Sequence, residues 1–192
     1  MQFIDELMVH LKKELCVDQE KTVISGASNG AMFVYYLAGQ RPKLFKGWLL
    51  EYGQPLIGYL DAPKALKDTY FLSLHGRQDV LIPAAGGIDG SDEWIYESVD
   101  NMVKGWATTQ DCDLSSYKRV KTPFDNYVTD ATQSGYNLKC YEYTKGCQGR
   151  VMRCKYKGTH GEDIPYDAKL SHWYFNGKYE HKEVENETFF IQ

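Results

Sequence analysis

The sequence predicts an α/β fold in which helices flank a sheet of mainly parallel strands. Its first half alternates short β-prone runs with segments of helical periodicity, an order typical of strand–helix–strand units. The β-prone runs are apolar without alternation, as expected for strands that are covered on both faces. A length of 192 residues lies within the size of one domain, so we assume a single core.

The first third of the chain predicts a helix, a strand and a second helix. Apolar residues recur at helical spacing over residues 3–15 and predict an amphipathic helix that ends before Val17. Residues 22–25 predict a short, buried parallel strand. Residues 26–30 form a tight turn, and residues 31–38 predict the second helix.

The rest of the chain predicts further strands and helices in the same order. Two strands lie within residues 44–52 and 70–74, and two helices at residues 92–107 and 168–175. The segment 108–133 is polar and predicts an irregular insertion over one face of the sheet. We therefore expect one domain over residues 1–192, with a cysteine-rich insertion around residues 108–157.

Four of the five cysteines lie in the second half of the chain and favour two disulfides. Residues 138–156 predict a hairpin in which Cys140 and Cys154 are equally distant from Cys147 and would face each other. Cys112 would then pair with Cys147. Clustered cysteines in a loop-rich segment favour an oxidising compartment, with buried thiols of a cytosolic protein as the alternative. No paired C-x-x-C motif is present, which argues against a zinc site.

Composition and charge exclude several classes of function. A net charge of −4 argues against nucleic-acid binding, which needs a basic face. No run of 18 apolar residues is present, so we expect no transmembrane helix. Residues 1–7 lack the shape of a signal peptide, so an exported protein would carry its signal upstream. Cys16 is left without a predicted partner.

A nucleophile motif follows the first strand. Gly26-Ala27-Ser28-Asn29-Gly30 matches G-x-S-x-G and lies between a β-prone run and a helical segment. This strand–turn–helix setting is the one that a nucleophile elbow requires, because the serine occupies a strained turn beside a strand and a helix. Ser28 would then present its hydroxyl at the carboxyl edge of the sheet. A plain glycine-rich turn is the alternative.

A nucleophilic serine needs a base and an acid that orients the base, in the chain order serine, acid, histidine. Asp79 directly follows the third strand, where an acid reaches an imidazole at the sheet edge, although an Asp there can also cap a turn. His160 lies in a glycine-bordered loop after a strand, and a surface-loop histidine is its alternative. Weaker candidates for the acid and the base are Asp61, Asp68, Asp89, His10, His75, His172 and His181.

Two longer runs resemble a known family of serine esterases. The run Val23-Ile24-Ser25-Gly26-Ala27-Ser28-Asn29-Gly30-Ala31-Met32 resembles the elbow of extracellular feruloyl esterase and polyhydroxybutyrate depolymerase-like esterases. These belong to the family 1 type of carbohydrate esterases in the α/β-hydrolase superfamily. The run His75-Gly76-Arg77-Gln78-Asp79-Val80-Leu81-Ile82-Pro83 is similar to the acid segment of that family. Trp106 and Cys112 resemble a tryptophan and a cysteine that the family has at the end of a helix, and Cys147 resembles its second cysteine. The resemblance extends from residue 3 to the last helix.

The resemblance also implies parts that lie outside this sequence. Family members have several strands and an oxyanion-hole loop before the elbow helix, whereas this chain opens directly on a helix. We therefore expect an α/β-hydrolase fold that lacks its N-terminal strands. The Asn29 amide is the expected first oxyanion donor, and the upstream loop is the expected source of the second. The family's Trp-Pro pair after the histidine is replaced here by Gly161-Glu162.

These observations lead to the hypothesis of a secreted serine esterase with Ser28 as nucleophile, His160 as base and Asp79 as acid. The resemblance implies feruloyl or acetyl esters on plant polysaccharide, or short polyesters, as substrates. We expect no metal or organic cofactor, because the triad supplies both nucleophile and base. Two alternatives stay open: a non-catalytic remnant or binding module, and an intracellular peptidase or dienelactone-type hydrolase. The sequence does not predict the oligomeric state.

Overall fold

A computed structural model describes residues 1–58, 63–64, 67–88, 93–125, 137–161 and 167–177. Its helices are α1 (Gln2–Glu14), α2 (Asn29–Gln40), α3 (Val99–Thr109) and α4 (Asp167–Asn176). Its strands are β1 (Val23–Ala27), β2 (Gly47–Glu51), β3 (Tyr70–Gly76), β4 (Gly87–Ile88), β5 (Ile95–Tyr96), β6 (Tyr117–Val120), β7 (Lys139–Tyr143) and β8 (Arg150–Tyr156). The predicted helices and strands are present, and α3 begins later than the predicted helix 92–107.

Six strands form one mixed sheet in the order β1-β2-β3-β8-β7-β6. The first four in this order are parallel, and β7 and β6 continue the sheet in antiparallel pairing. Because β1, β2, β3 and β8 run in one direction, their carboxyl ends meet at the same edge of the sheet. A separate two-stranded ribbon pairs β4 with β5.

The sheet separates two apolar clusters, because successive side chains of a strand point to opposite faces. One face packs against α1, α2 and α3, and the other packs against α4. On β3, Phe71 belongs to the first cluster and Leu72 to the second. The aromatic side chains on the three-helix face include Tyr35, Trp48, Phe71 and Trp106. Phe71 and Trp106 stack with ring centroids 4.1 Å apart, which anchors α3 on the central strand.

Two segments differ in the structure from what the sequence predicted for them. The strand predicted at residues 22–25 is not buried on both faces, because β1 lies at one edge of the described sheet. The segment predicted as irregular, 108–133, contains β6, which forms the other edge of that sheet. Its polar side chains suit an edge strand, whose outer face meets water. Asp61, Asp89 and His181 lie outside the described residues.

The predicted hairpin and both predicted disulfides are present. Cys140 and Cys154 are directly paired residues of β7 and β8, and their sulfurs are bonded. A second disulfide joins Cys112, just after α3, to Cys147 in the turn of the hairpin. Among the described residues, Cys16 is the cysteine outside a disulfide, and it is exposed.

The helices of the described ranges are too short or too polar to cross a membrane.

Candidate active site

The turn between β1 and α2 holds Ser28 in a strained backbone conformation. Ser28 has φ of 55°, a value in the left-handed region that non-glycine residues rarely adopt. Gly26 makes this turn possible: a Cβ at that position would lie 2.3 Å from the carbonyl oxygen of Gly30. The Ser28 amide donates to the carbonyl of Glu51 at 2.9 Å and so ties the turn to the end of β2. This is the geometry of a nucleophile elbow.

The three residues predicted as nucleophile, acid and base lie together at the carboxyl edge of the sheet. The Oγ of Ser28 is 2.8 Å from Nε2 of His160, and Nδ1 of His160 is 2.9 Å from Oδ2 of Asp79. Asp79 follows β3 and His160 follows β8, and these strands are neighbours in parallel pairing. The register of the sheet therefore brings together side chains that are 81 and 132 positions apart in sequence.

The carboxylate of Asp79 is buried and fully engaged. Its Oδ1 accepts hydrogen bonds from the amides of Leu81 and Ile82 at 3.0 and 2.9 Å. Its Oδ2 contacts two imidazoles, that of His160 and that of His75, whose Nε2 is 3.2 Å away. Burial opposes ionisation, but the hydrogen bonds from His75, Ile82 and His160 outweigh it and hold the pKa of Asp79 below its usual range. The acid is therefore an anion at neutral pH.

The other titratable residues considered from the sequence lie in different settings. His10 and His172 are exposed on α1 and α4. Asp68 is exposed and bonds Lys46 at 2.9 Å. His75 was a weaker candidate in the sequence, and the structure buries it beside the acid with its side chain 1% exposed.

Two residues after β2 complete the surroundings of the elbow, and sequence reasoning missed both. Tyr52 has φ of 37°, and its ring meets that of His160 edge-on with centroids 5.1 Å apart. Gly53 passes so close to the elbow that a Cβ there would lie 2.3 Å from the carbonyl oxygen of Ser28. The signal was a glycine two residues after a buried strand, but its meaning depends on a contact with a residue 25 positions away.

A cleft of about 710 Å³ opens beside the elbow along the outer face of α2. Asn29 and Gly30, the two residues after Ser28, form its end nearest the serine. Its walls are mostly apolar, and Phe33 and Trp94 are 41% and 47% exposed. The other lining residues are Met32, Tyr36, Pro55 and Leu56. A volume of this size and an apolar lining are typical of small-molecule sites.

Asn29 is the first residue of α2, so its backbone N–H has no acceptor within the helix. The helix dipole adds partial positive charge at the same point. An amide in this position suits a developing oxyanion next to Ser28. Among the described residues, no three His, Cys, Asp or Glu side chains are grouped to hold a metal ion.

The sheet, the flanking helices and the elbow define the α/β-hydrolase fold. The chain is similar in structure to an acetyl xylan esterase from Aspergillus awamori, with a TM-score of 0.58 and 14% sequence identity. That likeness covers 91% of this chain and 66% of the Aspergillus awamori chain. The fold class predicted from the sequence is thereby confirmed.

The chain is also similar in sequence to known proteins. A probable feruloyl esterase C from Aspergillus niger is 29% identical over 93 residues, which are 48% of this chain and 33% of that protein. Its counterpart from Aspergillus clavatus is 29% identical over 96 residues, covering 50% of this chain and 34% of that protein. The sequence profile of the prolyl oligopeptidase family matches residues 3–55. The chain spans about a third of the length of the curated relatives it matches.

Proposed function

We propose that this chain carries the catalytic residues of a serine esterase that hydrolyses carboxylic esters. The observation that supports the proposal best is the unbroken hydrogen-bonded series from Ser28 through His160 to Asp79. A serine hydroxyl is a weak nucleophile until a neighbouring base takes its proton. Here the base is in contact with the serine and is itself oriented by a buried carboxylate, which is the arrangement that acyl transfer requires.

The proposed reaction has two halves. His160 removes the proton of Ser28 as Oγ attacks the ester carbonyl, and it returns that proton to the departing alcohol. Asp79 stabilises the imidazolium, and the Asn29 amide donates to the oxyanion. Water, activated by His160, then releases the acid and restores the free serine.

The apolar cleft beside Ser28 supports an acyl group with a planar or apolar body, such as a feruloyl group, over acetyl. Acetyl groups on plant polysaccharide and short polyesters stay within the proposal, because the cleft is open and large enough for them. Trp94→Ala tests the choice: it should raise KM for a feruloyl ester roughly 2–10-fold and leave KM for an acetyl ester unchanged. Phe3→Ala, a truncation of a 71% exposed ring on α1, is the matched control. Equal effects of Trp94→Ala on both esters would exclude the cleft as the acyl site.

We further propose an extracellular location for the protein, acting on ester groups of a polysaccharide or polyester. Two disulfides support an oxidising compartment. The second oxyanion donor is proposed to come from a segment outside this chain, as in the resembling family. About a third of the Aspergillus awamori chain lies outside the likeness.

Hydrolysis of a p-nitrophenyl acyl ester by the purified protein and its Ser28→Ala variant tests the assignment. The variant should lose activity by about 10⁴-fold or more. Ser171→Ala is the matched control, because this serine lies on α4 and bonds the carbonyl of Ala168 there. Retained turnover in Ser28→Ala would remove the proposal.

Peptide hydrolysis is the second candidate, favoured by the match of residues 3–55 to the prolyl oligopeptidase family. It uses the same nucleophile and base, so Ser28→Ala does not separate the two functions. A direct comparison of a p-nitrophenyl ester with a peptide p-nitroanilide does. We expect turnover of the ester alone, and faster cleavage of the anilide would favour the peptidase.

A further inference from the structure

The acid of the site is shared between two imidazoles. Oδ2 of Asp79 is 2.9 Å from Nδ1 of His160 and 3.2 Å from Nε2 of His75. The side chains of Asp79 and His75 are 0% and 1% exposed, so water does not compete for either contact. The proposed mechanism uses His160 and leaves the second ring without a role.

The neighbours of His75 determine which of its ring nitrogens carries the proton. Nε2 of His75 also lies 2.9 Å from the backbone carbonyl oxygen of Ile82. A carbonyl oxygen and a carboxylate oxygen both accept hydrogen bonds and cannot donate them. Nε2 therefore bears a hydrogen, which it donates to the Ile82 carbonyl oxygen at 2.9 Å and shares with Oδ2 of Asp79 at 3.2 Å. His75 is held in one tautomer and is a donor to Asp79.

These contacts close a ring of three residues around the carboxylate. The Ile82 amide donates to Oδ1 of Asp79, and the Ile82 carbonyl accepts from His75, which in turn donates to Oδ2. The amides that hold Oδ1 belong to the turn that carries Asp79 itself. His75 lies on β3, in the body of the sheet, and holds the oxygen that faces His160.

We infer that His75 is a positioning residue of the esterase reaction, an inference that rests on the function proposed above. It fixes Oδ2 of Asp79 at the point where the carboxylate accepts from Nδ1 of His160. Without that donor, Oδ2 of the buried carboxylate loses one of its two partners and is held only by the imidazole that it should orient. The imidazole of His160 then spends less time in the orientation that accepts the proton of Ser28.

Two substitutions separate positioning from packing. His75→Gln places an amide N–H close to the position of Nε2, whereas His75→Met fills similar space without a donor. We expect His75→Met to lower kcat about 10-fold or more with KM unchanged, because Oδ2 of the buried carboxylate loses one of its two partners. His75→Gln should retain kcat within about threefold. Thermal unfolding of both variants reports any loss of stability separately from the loss of kcat.

NMR spectroscopy of ¹⁵N-labelled protein provides a readout that needs no turnover. His75 in the unsubstituted protein should give the signals of a ring protonated at Nε2. The downfield proton resonance of His160 Nδ1–H should move in His75→Met and return in His75→Gln. If His75→Met unfolds, the tautomer of His75 and the behaviour of His75→Gln still decide the question.

Several outcomes would overturn the inference. A ring protonated at Nδ1, or a His75→Met variant with unchanged kcat and an unchanged His160 resonance, would show that His75 only packs. A His75→Gln variant as slow as His75→Met would do the same. Absence of ester hydrolysis by the unsubstituted protein, with the NMR results as expected, would remove the proposed function but leave the hydrogen-bonded role of His75 in place.

Discussion

Gly53→Ala is the perturbation whose cost follows most directly from the geometry of the elbow. A Cβ at this position would lie 2.3 Å from the carbonyl oxygen of Ser28 and 2.8 Å from the Cβ of Ala31. Ordinary contact between such atoms requires about 3.5 Å. The loop that follows β2 and contains Gly53 (the β2 loop), or the elbow, must therefore move by about 1 Å. Neither neighbour is the end of a flexible side chain, because one is backbone and the other is a methyl group on a buried helix turn.

Gly53→Ala should lower both the stability of the protein and the rate of ester hydrolysis. Overpacking of this kind costs about 1–3 kcal/mol of stability, and each kcal/mol lowers Tm by about 2–4 °C in a chain of this size. A displacement of about 1 Å at a catalytic group costs on the order of 10²-fold in rate. We therefore expect kcat/KM for a p-nitrophenyl ester to fall about 100-fold while the variant remains folded.

The assay pairs ester hydrolysis with thermal unfolding of the same preparations. Gly39→Ala is the matched control, because it lies near the end of α2, is exposed, and has open space where a Cβ would be added. This control should keep full activity and gain about 0.5–1 kcal/mol, as expected when alanine replaces glycine in a helix. Unchanged kcat/KM and Tm in Gly53→Ala would refute the claim that the β2 loop supports the elbow.

Two further predictions concern stability. Replacing Cys140 and Cys154 together by alanine should lower the free energy of unfolding by about 3 kcal/mol in urea titration, since the bond closes a loop with a sequence separation of 14. If the unsubstituted protein unfolds at the same urea concentration with and without a reductant, this prediction is contradicted. Asp79→Asn should lower kcat about 10⁴-fold and remove a pH-dependent part of stability. Because the pKa of Asp79 is depressed in the folded state, that stability is complete above the ordinary value of 3.8 and is lost as pH falls through the lower folded value. The gap in unfolding free energy between the two proteins should therefore narrow below about pH 4, and a constant gap would contradict the assignment.

Local patterns predicted the parts of the site whose causes are local. The elbow follows from glycines spaced around Ser28 between a strand and a helix, and the position of Asp79 follows from a strand end. The loop of His160 could be chosen because glycines border it. The structure brings these three side chains together, and their catalytic roles stay predictions until activity is measured.

Features that depend on distant contacts could not be predicted. Gly53 and Tyr52 owe their importance to packing against Ser28 and His160, which no short window of sequence contains. The edge position of β1 depends on which strands pair, since an apolar run reads alike at the edge and in the centre of a sheet. The same reason explains β6, whose polar composition predicted an irregular segment.

The hairpin illustrates a mixed case. Its two strands and its Cys140–Cys154 pairing follow from two runs on either side of a turn and from the equal spacing of the two cysteines about Cys147. Its place in the molecule does not, because β8 pairs in parallel with β3 and becomes a central strand of the sheet. That pairing brings the loop of His160 next to the loop of Asp79. The segment expected as an insertion thus supplies a strand on which the site depends.

The central claim is that Ser28 is an activated nucleophile, and covalent labelling tests it most directly. A fluorophosphonate reacts with a serine whose proton is removed by a neighbouring base, and mass spectrometry of the digested protein locates the adduct. We predict one adduct on each chain, on the peptide that contains Ser28, with none in Ser28→Ala and a much slower reaction in Asp79→Asn. No adduct on the unsubstituted protein, or an adduct on a different residue, would contradict the account.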